Sequence, residues 1–155
     1  HNFPLLGLGH IRIHNRDGVS YLQEMLPVDC LFLDPARRDG HGGKTVAISD
    51  CEPDVTVLEP LLVDKAKKVM VKLSPMLDLS LALNELKTVR AVHIVAVNNE
   101  CKELLLILQK ESVSSEVSIH CEHIAGNGES RHYTFTVKQE KTSPWLLDYE
   151  VGTYL

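Results

Sequence analysis

The stretch LFLDPARRDG, residues 31–40, decides how this chain is read. Leu31, Phe32 and Leu33 run without polar alternation, the pattern of a strand covered on both faces in a parallel sheet. Asp34 and Pro35 then stop it. In open parallel α/β sheets, ligands bind beyond the carboxyl ends of the strands. An acid, a proline and two arginines at that place are therefore site candidates. The competing reading is an exposed loop whose charges are only solvated.

Outward from this stretch, the chain alternates between two periodicities. Upstream, HNFPLLGL reads as the tail of a helix or its exit turn, with Gly7 and Gly9 as stop signals. HIRIHN alternates, with Ile11 and Ile13 on one side and Arg12 and His14 on the other, which predicts a half-buried strand. VSYLQEML has helical spacing and ends at Pro27. Downstream of a glycine-rich loop, Pro53 and Asp54 open a helix that runs to about Ala66. KVMVKLSP is a further buried strand, Asp78 or Ser80 can cap the next helix, and AVHIVAVNN is a strand. ECKELLLILQK fits helix by propensity and strand by length. Asn98 and Asn99 tolerate positive φ, however, and favour a tight turn that returns residues 103–109 antiparallel. EVSIHCEHI and HYTFTV alternate around AGNGES, which is hairpin chemistry. The strand–helix order implies right-handed crossovers and a doubly wound, mostly parallel α/β sheet of the Rossmann-like kind, with antiparallel strands at its C-terminal edge.

The 155 residues suffice for one domain with a core. No apolar run approaches the roughly 18 residues that span a bilayer, no signal segment opens the chain, and a cytoplasmic location without membrane contact is expected. A net charge of −5 argues against nucleic-acid binding by the whole surface, because phosphate neutralisation needs clustered cations. Lys65, Lys67 and Lys68 read as a solvated helix end rather than an RNA contact. The four cysteines have no CxxC spacing, so buried thiols are expected rather than a zinc site or disulfides. His120, Cys121 and His123 lie in a strand and point to different faces, so no metal is expected. Asp50, Glu52 and Asp54 read as a capping region rather than a cation site.

FLDPARRDG, VKLSPMLD after the next strand and AVHIVAVNNECKELL with its turn together resemble the class I S-adenosyl-L-methionine-dependent methyltransferases of the THUMP-like type. The resemblance implies the fold class just given and a methyl-transfer activity with S-adenosyl-L-methionine as cofactor. RNA is the implied substrate class, because the family's companion module resembles an RNA-binding one. It further implies that residues 1–140 are a partial methyltransferase domain lacking its first two strands, and that 141–155 lead toward a C-terminal module. The glycine-rich donor loop and the acid of the second strand do not occur in these residues. Turnover is therefore expected only with the rest of the domain, and self-association through open sheet edges is expected of the fragment.

Carried over residue by residue, the resemblance assigns Asp34, Pro35, Arg37 and Arg38 to the catalytic corner. Asp17, Asp34 and Ser74 fall to the donor, Asp17 at the position that reaches its adenine amino group, and Lys72 lines the same crevice. Asp34 suits an acceptor amine as hydrogen-bond partner or base, and Pro35 fixes the backbone. Arg37 and Arg38 offer planar forks for RNA phosphate or a guanine edge, or else brace the loop against Asp34 or Asp39. No cysteine follows the Asp-Pro pair, which disfavours a covalent mechanism. A reading of a different class is a non-catalytic α/β module that binds a nucleotide or a protein.

Overall fold

The computed structural model describes residues 3–37, 47–110 and 116–138. A 3₁₀ turn over Pro4–Leu6 precedes helix α1, Gly18–Glu24. Strand β1 follows at Val28–Leu33, and short β2 at Ala36–Arg37 pairs antiparallel with β3 at Cys51–Glu52. Helix α2 spans Val55–Lys65, β4 Ala66–Leu73, α3 Leu79–Glu85, β5 Val89–Val97 and β6 Glu100–Leu108. A hairpin of β7, Glu116–Ile124, and β8, Ser130–Lys138, completes the described chain.

Local chemistry explains the boundaries. Asp17, Asp54 and Asp78 each accept a backbone N–H in the first turn of α1, α2 and α3, satisfying donors that a helix start leaves unpaired. Asn98 and Asn99 adopt φ of 51° and 64°, which makes the tight reversal between β5 and β6. The leucine run 104–106 is therefore strand, as the turn chemistry required.

Among the described residues one sheet has the order β1-β4-β6-β5-β7-β8. β1, β4, β5 and β7 run one way, and β6 and β8 run against them. Antiparallel β8 stands at the far edge as expected, but β6 corrects the expectation that both antiparallel strands lie at that edge: it inserts between the parallel β4 and β5, so the sheet is mixed. Val69, Val71 and Leu73 of β4, with Leu104, Leu106 and Leu108 opposite them, face a single core. Helices α1, α2 and α3 all place buried residues in that core.

Three further expectations are corrected. Residues 10–14 form no strand; Ile11 and Ile13 are exposed, because alternation yields a strand only where a neighbour supplies the ladder, and among the described residues β1 pairs with β4 alone. Among the described residues β1 stands at the sheet edge with unequal faces: Leu31 and Leu33 pack on the core, while Phe32 is 57% exposed on the other side. For the same reason Cys30 is exposed, whereas Cys51 is buried as expected. Residues 141–155, with Trp145 and Tyr149, and most of the glycine-rich loop after Arg37 lie outside the described residues. Among the described residues no helix is long and apolar enough to cross a membrane.

Among the described residues the core holds one buried carboxylate. Glu59 of α2 is 7% exposed, and its Oε1 accepts from Lys87 N at 2.8 Å, Thr88 N at 2.7 Å and Thr88 Oγ1 at 2.6 Å. It therefore pins the entry to β5. Glu59→Ala would leave two backbone donors without that partner and should cost about 2–4 kcal/mol in urea unfolding, with Glu59→Gln losing less. A loss below about 0.5 kcal/mol for the alanine variant would contradict this role.

Candidate active site at the strand tips

The crevice beyond β1 and β4 follows from strand register. Leu33 is paired with Val71, so the next step outward brings Asp34 beside Lys72 on the same face. Lys72 Nζ lies 2.8 Å from Asp34 Oδ2. At the other end of the same ladder Val28 is paired with Ala66, and Asp29 and Lys67 stand 2.7 Å apart by the same logic. The hydrogen bond to Asp34 is the main influence that holds the Lys72 ammonium above its ordinary range, and Glu103 adds to it.

Pro35 is buried, while Asp34 points outward with its side chain 52% exposed. The next residues are fixed by the β2–β3 ribbon, in which Ala36 is paired with Glu52 and Arg37 with Cys51. On the β4 side, Ser74 Oγ accepts from Met76 N at 3.3 Å, and Ser74 O accepts from Leu77 N at 3.1 Å. That turn carries the chain from the strand tip into α3. The antiparallel partner β6 brings Glu103 to the rim, where its carboxylate lies 3.8 Å from Lys72 Nζ.

Asp34, Pro35, Lys72, Ser74, Lys102 and Glu103 are among the residues that line one crevice of about 340 Å³, with Ala36, Pro75, Cys51 and two leucines as its remaining walls. Of the residues assigned from the sequence, Asp34, Pro35 and Ser74 therefore meet. Asp17 does not line this crevice; its carboxylate accepts from Ser20 N and Ser20 Oγ, both at 2.8 Å, and these bonds chiefly hold it below the usual carboxylate range. Arg37 contributes its backbone to β2, and its side chain and all of Arg38 lie outside the described residues. Glu103 carries no site signal of its own in the sequence; the Asn-Asn turn brings it here by fixing how far β6 runs back along β4.

No protein-family profile and no curated protein sequence matches the chain. A solved structure does: the crystal structure of a protein described as a "putative methyltransferase" from Porphyromonas gingivalis W83 is 33% identical, with a TM-score of 0.58. The fold is methyltransferase-like. The alignment covers 72% of this chain and 27% of that one, so the chain spans about a quarter of its relative's length.

Outside the crevice, a histidine cluster lies on the same open face of the sheet. His93 of β5 stacks on His120 of β7 at 4.7 Å between ring centroids, and His132 of β8 lies 5.8 Å from His120. Thr134 Oγ1 bonds with His132 Nε2 at 2.7 Å and with His120 Nδ1 at 3.2 Å, and His132 Nδ1 pairs with Glu122. No group among the described residues has the arrangement of a metal site. Burial, then the neighbouring His120, hold the His93 imidazole below its ordinary 6.5, with Glu122 opposing. The unfolded chain takes up this proton more readily than the folded one. The contribution to stability is thus complete above about pH 6.5 and declines as pH falls from there toward the lowered folded value. Urea midpoints should drop between about pH 7.5 and 5.5, and the drop should be smaller in His93→Asn. Identical pH slopes for the two proteins would contradict it.

Proposed function

We propose that the natural protein carrying this chain is an S-adenosyl-L-methionine-dependent methyltransferase of the THUMP-like type, and that the crevice at the tips of β1 and β4 is where donor and acceptor meet. The observation that carries this reading is the meeting of the Asp34–Pro35 corner with Ser74 and Lys72 at the carboxyl ends of two adjacent parallel strands. The similarity to the Porphyromonas gingivalis protein supports the transferase class.

The residues suit the group. A volume of about 340 Å³ lies within the range of small-molecule sites, roughly 300–1,000 Å³. Asp34 supplies an anionic oxygen for a cationic ligand, and Ser74 a hydroxyl. When bound, the donor supplies an activated methyl on a sulfonium. The chain's own work is positional: Asp34 accepts a hydrogen bond from the acceptor's N–H or O–H and aims its lone pair, while buried Pro35 and the β2–β3 ribbon keep the Asp34 backbone from drifting. We take RNA as the acceptor class, with Arg37 and Arg38 as the phosphate or guanine contacts, on the strength of the Asp-Pro-Ala-Arg-Arg resemblance.

The test is label transfer from S-adenosyl-[methyl-³H]methionine to total cellular RNA by the natural protein. Asp34→Ala should lower transfer by about 10²- to 10⁴-fold while the thermal midpoint moves by less than about 3 °C. Donor binding by calorimetry without any transfer to RNA, protein or small-molecule pools would favour the non-catalytic binding module instead. Parallel loss of activity and stability in Asp34→Ala would make the corner a structural loop.

A further inference from the structure

Among the described residues the charges of the crevice do not cancel. Asp34 and Glu103 share the single ammonium of Lys72, at 2.8 Å and 3.8 Å, while Lys102, the other cation on the wall, stands 2.6 Å from Glu100. Among the described residues the two acids thus exceed their shared cation by one charge. Both carboxylates are about half exposed and the lysine about one-third, so the ion pairs stand in high dielectric and exchange partners at little cost. Register supplies the second berth. Lys72 is paired with Leu105 of β6, and Glu103 lies two residues along that strand on the same face. An ammonium on a flexible four-carbon stem reaches either acid by rotation about its own bonds.

Resting on the methyl-donor reading of this crevice, we propose that Lys72 is a displaceable counter-ion over Asp34, and that Glu103 takes over its ammonium when a cationic ligand group comes to Asp34. Lys72 remains an ammonium throughout, as a lysine beside either carboxylate does. The exchange then follows the chemistry. On transfer, the sulfur–methyl bond breaks and its electron pair stays on sulfur, the acceptor's lone pair forms the new bond to carbon, and the acceptor's proton passes to solvent. The sulfonium has become a neutral thioether, so Asp34 has lost its cationic partner. Lys72 returns from Glu103, which favours release of the product over the donor. Glu103 and Lys72 are positioning residues in this scheme.

The test is calorimetry on the natural protein carrying this chain and on its Lys72→Met and Glu103→Gln variants. The probes are sinefungin, which has an ammonium where the sulfonium stands, and neutral S-adenosylhomocysteine. The wild type should prefer sinefungin. Lys72→Met should raise that preference about tenfold by tightening sinefungin alone, and Glu103→Gln should lower it several-fold because Lys72 is then kept on Asp34. Circular dichroism checks that each variant is folded. An unchanged preference in both variants, or an equal weakening of both ligands in Lys72→Met, overturns the counter-ion exchange. Failure of the wild type to bind either probe overturns the methyl-donor reading itself.

Discussion

The parallel register of β1 against β4 is the constraint from which the rest of the site follows. Five Cα pairings from Val28–Ala66 to Leu33–Val71 leave no freedom in what comes next: Asp34 must emerge beside Lys72. A slip of one residue would turn every side chain of β1 to the opposite face. Leu31 and Leu33 would then leave the core, Phe32 would enter it, and Asp34 would point toward buried Pro35's side of the sheet. Hydrophobic burial at two leucines thus sets the position of a carboxylate. The Asp29–Lys67 pair at the far end of the ladder reports the same register.

The two faces of the sheet divide the labour. One is apolar and filled, from Val69 and Val71 through Leu106 and Val92 to Val117 and Ile119. The other carries a lateral row of paired positions, Lys72–Leu105–His93–His120–Thr134, and the Asp34–Lys72 contact continues it at the β1 edge. Strands stand about 4.8 Å apart, so Lys72 and the His93 ring belong to positions about 10 Å from each other on one surface. Ionisable groups sit on this face because it is the one that the helices leave open among the described residues, and there water offsets the cost of charge.

Much of this was legible in the sequence, for local reasons. Aspartates at helix starts, an Asn-Asn reversal and proline stops are signals that depend on neighbouring residues only, and Asp54, Asp78 and Asn98–Asn99 behave accordingly. The meeting of Asp34 with Ser74 was legible as well, because both follow apolar runs that end at a proline. What depended on a distant partner was not. Among the described residues HIRIHN has the alternation of a strand but no ladder to join, and Leu31-Phe32-Leu33 has the composition of a covered strand at a sheet edge. Glu103 enters the site through the register of a hairpin, which composition does not encode. The histidine stack is likewise a cross-strand product of residues 27 and 12 positions apart in the chain, His93 to His120 and His120 to His132.

The central claim is that a ligand occupies the tips of β1 and β4. Hydrogen–deuterium exchange of the natural protein, with and without saturating S-adenosylhomocysteine, tests it directly. The account predicts slowed exchange in peptides covering residues 33–37 and 72–78, with the β7–β8 hairpin unchanged. Protection confined to the histidine face, or to regions away from both strand tips, would contradict it.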